Sequence, residues 1–368
     1  MGSVAGNRVG GSSVRAVAAA AESAPARSEN GPRARPVTLA DVAREAGTSP
    51  STASRALSGR GYVSAAVRER LLAAADRLGY VANASARTLK QQTSRIVGVV
   101  VSDLGNQFYA GVAAGIEETL RAADYQMVLL SDNSESAHEI DGARTFMAMR
   151  AAGVIMTPVG HEAAELLTGH GIGVVEVDRQ VAEVPCDAVV IDNERGAREA
   201  TSHLLDLGHR RVGLLVAKTS FTTDAGRLRG YWAAHAAANV AVDENLIVRI
   251  PFHAPDAEQR IAALLDVEAP TAIFAANNLL AEQAWHVLRR RGIELPEDMS
   301  LVGFDDVPWM EMVDPGITAV AQPNIELGRR AARLLLRRVQ DPGCPPELEC
   351  LEPLLIVRGS TGPPPKLA

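Results

Sequence analysis

The sequence is poor in cysteine and in aromatic residues, and it lacks any apolar run near the ~18 residues that cross a bilayer. Its three cysteines, Cys186, Cys344 and Cys350, are odd in number and form no C-x-x-C pair. That argues against a disulfide framework or a structural zinc site and fits a reducing, cytoplasmic setting. Phe, Trp and Tyr make up only 4% of the chain, so any aromatic placed in a cleft carries weight. G-x-S-x-G, P-loop, H-E-x-x-H and G-x-G-x-x-G patterns are missing, and the eight histidines are scattered. Nothing here points to an enzyme, a metal or a cofactor. His209, within Leu207-Gly-His-Arg210, reads as structural.

What is present is globular: 368 residues, 47% hydrophobic and 22% charged, enough for two or three packed units. The net charge of -7 argues at first against a nucleic-acid partner, which needs clustered positive charge. The charge is uneven, however. Residues 1–95 carry 14 Lys/Arg against 6 Asp/Glu, a net of +8, and residues 96–368 carry a net of -15. A small basic module therefore precedes an acidic body. Residues 1–35, rich in Ala, Ser, Gly and Arg, read as a disordered tail, with a transit-like peptide as the alternative because the segment is basic and poor in acids.

The body alternates short apolar runs with helical patterns. The runs are Ile96–Val101, Met127–Leu130, Gly153–Met156, Val174–Val177, Val189–Ile191, Arg211–Val216, Thr271–Phe274 and Ser300–Phe304, with helices over Ala110–Ala123 and Ala143–Arg150. Continuous β-branched runs of this length predict parallel strands covered on both faces. The expected fold is α/β, doubly wound, in two lobes, with a ligand crevice beyond the carboxyl ends of the strands.

In the basic module Leu39, Val42, Ala43 and Ala46 form one apolar helix face, which Thr38 can cap and Gly47 can end. Ser49 can cap a second helix with Pro50 in its first position, Ala53 and Leu57 inward and Ser51, Ser54 and Arg55 outward. A third, from Ser64 to Gly79, buries Val67, Leu71, Ala74 and Leu78. Two short helices joined by a Gly-containing turn, with a third in support, make a helix-turn-helix; a plain three-helix bundle is the competing reading.

The run Val37-Thr-Leu-Ala-Asp-Val-Ala-Arg-Glu-Ala-Gly-Thr-Ser-Pro-Ser-Thr-Ala-Ser-Arg-Ala-Leu57 resembles the headpiece of LacI/GalR-type transcriptional regulators. Similar in the same order are Asn83-Ala-Ser-Ala-Arg-Thr-Leu-Lys90, Phe108-Tyr109-Ala, Leu207-Gly-His-Arg-Arg-Val-Gly213, Arg227-Leu-Arg-Gly230, Pro270-Thr-Ala-Ile-Phe-Ala-Ala-Asn277 and Ser300-Leu-Val-Gly-Phe-Asp-Asp306. The resemblance implies a helix-turn-helix domain over 36–82, a hinge over 83–94 and a two-lobed periplasmic-binding-protein-like core over 95–368. Lobe 1 would hold about 95–193 and 322–351, and lobe 2 about 194–321 and 352–361.

For DNA, the resemblance places Pro50, Ser51 and Arg55 at base-reading positions, with Pro50 limited to apolar contact. Thr38, Ser49, Thr52 and Ser54 are placed for phosphates, although such residues also serve as helix caps. Asn83, Ala86, Arg87, Leu89 and Lys90 match a hinge helix too short to be stable alone. There Leu89 would wedge a central base step from the minor groove, and Arg87 and Lys90 would add phosphate contacts. Leu89→Gly is expected to keep the fold and lose most operator affinity, as a footprinting titration would show. A two-fold dimer on a palindromic operator is expected. The chain ends without a heptad tail, which favours a dimer over a tail-dependent tetramer.

For the small-molecule cleft, the resemblance nominates Phe108, Tyr109, Arg227, Asn277 and Asp305, with Asp178 and Phe252 as further candidates. Aromatic faces stack on rings, and Arg, Asn and Asp supply directional bonds. Two departures stand out: Asn278 replaces the family's usual Asp after Asn, and Gly105-Asn-Gln107 replaces the common Asn-Pro before the aromatics. The expected function is a repressor of a carbohydrate-utilisation operon, released by a sugar inducer. A corepressor-dependent regulator binding a nucleobase or other metabolite is the alternative. A solute-binding protein without DNA function is a third reading, opposed by residues 37–90.

Overall fold

The computed structural model describes residues 35, 37–58, 61–80, 94–181, 183–218, 221–252 and 254–365. The expected tail up to residue 34 and the expected hinge positions Asn83, Ala86, Arg87, Leu89 and Lys90 lie outside the described residues. The chain forms two units, Met1–Asn83 and Ala84–Ala368.

The first unit holds α1 (Leu39–Glu45), α2 (Pro50–Ser58) and α3 (Ala65–Arg77). Thr38 opens α1 with a capping box: its hydroxyl accepts from the Asp41 N–H, and its own N–H donates to Asp41 Oδ2 at 2.9 Å. Those Thr38 hydrogen bonds, with Arg35 beside them, hold the Asp41 carboxyl well below the usual carboxylate range. Gly47 then takes a left-handed φ of 63°, and Ser49 Oγ accepts from the Thr52 N–H at 3.2 Å to start α2. The core is Val42, Ala43, Ala46, Ala53, Ala56, Leu71 and Ala74. Leu57, expected inside, is only half-buried, and Ala56 takes the buried place. Small side chains there let α2 lie close against its neighbours. Ser64 precedes α3 without a side-chain cap bond.

The second unit is built in chain order from β1 (Ile96–Val101), α4 (Gln107–Ala122), β2 (Gln126–Ser131), α5 (Ser136–Ala148), β3 (Gly153–Met156), α6 (Glu162–Gly169), β4 (Gly173–Val177) and β5 (Asp187–Ile191). Next come α7 (Asn193–Asp206), β6 (Val212–Ala217), α8 (Thr222–Ala237), β7 (Ile247–Ile250), α9 (Ala257–Glu268), β8 (Ala272–Ala275), α10 (Asn278–Arg290) and β9 (Ser300–Phe304). The chain closes with α11 (Pro308–Met312), β10 (Thr318–Ala321), α12 (Asn324–Gln340), β11 (Leu348–Leu351) and β12 (Leu354–Ile356). One sheet runs β11-β5-β4-β3-β1-β2 and the other β12-β10-β9-β8-β6-β7. Every pairing is parallel except β10 with β12. The chain crosses between the sheets after β5, after β10 and after β11, so the second unit has two lobes. Among the described residues no helix is long and apolar enough to cross a membrane.

Two helices begin earlier than their apolar patterns suggest. α4 starts at Gln107 because Asn106 Oδ1 accepts from the Phe108 N–H at 3.0 Å, and α5 starts at Ser136. α4 and α12 touch through backbone. A Cβ on Gly115 would lie 2.0 Å from the Ile325 carbonyl oxygen, and one on Gly328 would lie 2.0 Å from that of Val112. In lobe 1 the buried Asp187 receives Arg337 at 2.9 Å and Arg338 at 2.8 Å, which anchors the return of the chain into β11. In lobe 2 the buried His209 lies 2.9 Å from Thr271 Oγ1, 3.0 Å from Ser300 Oγ and 2.9 Å from the Gly362 carbonyl. Burial lowers its pKa, as befits a neutral structural imidazole.

Lobe 1 also buries two carboxyls away from the cleft. Glu139 accepts from the Val159 N–H at 2.8 Å and the Gly160 N–H at 3.2 Å, and Glu176 accepts from the Val181 N–H at 3.0 Å. Burial pushes each up to about 7 from an ordinary 4.5. Each binds its proton more tightly folded than unfolded, so its contribution to stability is complete below 4.5 and is lost as pH rises to about 7. Glu176→Gln is therefore expected to lessen the fall in Tm across that window, as thermal melts at stepped pH would show. An unaltered Tm profile would contradict this.

Candidate functional site

The cleft lies where the carboxyl ends of both sheets face each other, and it is open to solvent at its mouth. Lobe 1 brings Phe108 and Tyr109 on the first turn of α4. Their rings meet edge-on at 5.1 Å, and both are buried. Tyr109 donates its hydroxyl to Asp178 Oδ2 at 3.1 Å. Asp178 follows β4 in the left-handed region at φ 70°, and its Oδ1 is buried without a hydrogen-bond partner among the described residues. Burial raises its pKa, while the charges of Arg179 and Arg227 oppose that rise.

Lobe 2 repeats the device. Asp305 follows β9, also left-handed, at φ 66°. Arg227, on the second turn of α8, lies 3.7 Å from Asp305 Oδ1. It donates to Asn193 Oδ1 at 2.8 Å and to the Ala276 carbonyl at 2.6 Å, and its guanidinium lies 3.9 Å from the centre of the Phe304 ring. Arg227 is thus held on all sides before any ligand contact is considered. Asn277 lines the cleft but uses its side-chain oxygen to cap α10, accepting from the Leu280 N–H at 2.8 Å. Phe252 is half-buried at the wall, 6.2 Å from the Phe221 ring. All seven residues nominated for the cleft therefore line one cavity.

Arg179 and Gln322 are among the further lining residues that the sequence did not nominate. Arg179 reaches from lobe 1 to lie 3.7 Å from the centre of the Phe221 ring of lobe 2. Its Nε and Nη1 are buried without hydrogen-bond partners among the described residues, and Nε stands 3.9 Å from Asp178 Oδ2 as a buried ion pair. Gln322 sits at the second crossover, donates to Asp305 Oδ1, and leaves its own Oε1 without a partner there. Arg179 had a signal, since it follows the acid that comes directly after a strand, just as Asp306 follows Asp305. Gln322 had none, because its strand was not recognised.

On the first unit, Ser51 and Arg55 are exposed along α2, and Arg55 Nε donates to the Ser51 carbonyl at 3.4 Å. Pro50 is exposed at the first helical position, and Thr52 and Ser54 are half-buried. Thr38 and Ser49 spend their hydroxyls on the helix starts: Thr38 Oγ1 donates to Asp41 at 2.6 Å, and Ser49 Oγ lies 2.9 Å from those of Ser51 and Thr52. Their capping role is thus visible in the free chain.

A three-helix headpiece with a helix-turn-helix, joined to a two-lobed ligand-binding core, defines a class of ligand-responsive DNA-binding regulators. The family model described as bacterial regulatory proteins, lacI family, matches residues 38–83, and the periplasmic binding protein-like domain matches residues 201–361. The HTH-type transcriptional regulator DegA of Bacillus subtilis (strain 168) is 33% identical over 331 residues, covering 89% of this chain and 98% of that protein. The structure of the lac repressor dimer bound to operator and the anti-inducer ONPF superposes with a TM-score of 0.78 at 26% identity, covering 89% of this chain and 100% of that one. A LacI family regulator from Enterococcus faecium with bound ribose superposes with a TM-score of 0.67 at 30% identity, covering 73% of this chain and 99% of that one. The chain belongs to the LacI family of bacterial transcriptional regulators. It is a DNA-binding regulator and not an enzyme.

Proposed function

We propose that this regulator is a homodimeric repressor of a carbohydrate-utilisation operon, released from a palindromic operator when a neutral monosaccharide enters the cleft. The observation that carries the sugar reading is the pairing of unsatisfied acceptors with unsatisfied donors. Asp178 Oδ1 and Gln322 Oε1 require donors, and Arg179 Nε and Nη1 require acceptors. A hydroxyl is both at once, so vicinal hydroxyls on an apolar-faced ring satisfy all of them. A phosphate or carboxylate, with no proton to give, would serve the arginines but leave Asp178 Oδ1 and Gln322 Oε1 without a donor. The ribose bound by the Enterococcus faecium relative supports the same reading. On the DNA side, Pro50, Ser51 and Arg55 are proposed to read bases. Thr38, Ser49, Thr52 and Ser54, with the hinge residues Asn83, Ala86, Arg87, Leu89 and Lys90, are proposed to position the duplex. Regulation is a population shift: sugar favours one lobe arrangement, and that arrangement disfavours the DNA-bound hinge.

Isothermal titration of the full chain with D-ribose, other neutral monosaccharides, their phosphate esters and purine bases tests the cleft. A neutral sugar is expected to bind, with its phosphate ester at least about tenfold weaker, a difference of about 1.4 kcal/mol. Binding of a phosphate ester or a purine alone would overturn the proposal.

A further inference from the structure

We propose that Asn278 is a positioning residue that ties lobe closure to the aromatic wall of the cleft through a single hydrogen bond to Asn106. Its Nδ2 donates to Asn106 Oδ1 at 2.8 Å, between the first residue of α10 in lobe 2 and the residue that caps α4 in lobe 1. That same oxygen accepts from the Phe108 N–H at 3.0 Å, which fixes it as the acceptor and leaves Asn278 as the donor. Asn278 is 3% exposed, and its backbone N–H points to Asp305 Oδ2 at 3.4 Å. A continuous line therefore runs from Asp305 on one wall through Asn278 and Asn106 to the helix start that carries Phe108 and Tyr109 on the other. Asn278 does not itself line the cavity.

The residue types are matched to each other. Asn278 stands where the pattern this sequence resembles usually has Asp. A carboxylate at position 278 has no proton to give to an oxygen already committed to capping α4. It would also stand buried beside Asp305, where like charges are costly. The amide avoids both penalties. Other lobe-to-lobe contacts, among them Arg179 on Phe221 and the Gln180 N–H on Thr222 Oγ1 at 3.3 Å, use different connections, so the lobes meet without Asn278. What Asn278 adds is the link from closure to the position of Phe108. Its role in effector response rests on the reading of the cleft as the effector site.

The test is hydrogen exchange by mass spectrometry on the full chain, comparing wild type with Asn278→Ala and with Asn278→Asp, which keeps the side-chain volume. Exchange across residues 104–110, where the Phe108 amide reports the cap, is expected to quicken roughly tenfold in both variants, the fold-change of one lost hydrogen bond. Exchange in β1 and β6 is expected to stay at the wild-type rate. Wild-type exchange at 104–110 in Asn278→Asp, or an equal acceleration in every segment, would overturn the positioning role. A parallel D-ribose titration separates the two claims: loss of heat only in the variants joins the latch to sugar binding. If no neutral monosaccharide in the panel gives heat with the wild type, the sugar reading fails, while the exchange data still decide the latch.

Discussion

Arg227→Ala is expected to abolish the response to sugar, with binding weakened more than about 100-fold, and to lower the stability of the core by about 3–5 kcal/mol. Arg227 is 4% exposed, and its guanidinium serves four neighbours: Asp305, Asn193, the Ala276 carbonyl and the face of Phe304. Its removal leaves a buried carboxylate without its cation and two buried acceptors without a donor, each a cost that alanine cannot offset. Asp305 also carries Gln322 and, through the backbone of Asn278, the start of α10, so the disturbance spreads along the lobe 2 wall. Urea unfolding gives the stability term, and titration with the sugar that binds the wild type gives the affinity term. Stability lost with affinity kept would show that Arg227 braces the wall without acting in the site.

Arg55→Ala is expected to weaken operator binding by roughly 10- to 100-fold, the range for losing one good base or phosphate contact. The side chain is exposed on α2, so headpiece stability is expected to stay within about 0.5 kcal/mol. Fluorescence anisotropy at several salt concentrations distinguishes the two kinds of contact. A lost phosphate contact weakens all sequences alike and lowers the salt slope by about one, whereas a lost base contact relaxes preference at one position of the half-site. Unchanged affinity on every sequence would remove Arg55 from the reading face.

The parts of this molecule that were legible in the sequence are those where burial is continuous. β1, β3, β4 and β9 are covered on both faces, and each reads as an apolar run, broken in β4 only by the buried Glu176 and opened in β9 by Ser300. The strands that were missed obey no such rule. β7 carries Arg249 between apolar neighbours, β10 is Thr-Ala-Val-Ala, and β11 and β12 are short and partly exposed. β7, β11 and β12 lie at sheet edges, where one side of the strand needs no apolar cover. Missing β10 also hid Gln322, which directly follows it. The cleft residues Phe108, Tyr109, Arg227, Asn277 and Asp305 were legible through resemblance, yet their partners were not. No local pattern joins Arg179 to Phe221 or Asn106 to Asn278, because those contacts exist only once two lobes face each other. The net charge of -7 was the least informative quantity, since it averages a basic headpiece with an acidic core.

The central claim is that sugar in the cleft releases the headpiece from DNA, and a gel-shift titration on the region upstream of the protein's own gene tests it most directly. The full chain is expected to shift that fragment, the shift is expected to vanish at a saturating concentration of the monosaccharide found by titration, and Arg227→Ala is expected to keep the fragment shifted at the same concentration. A shift that the bound sugar strengthens, or leaves unaltered while it occupies the cleft, would contradict the account.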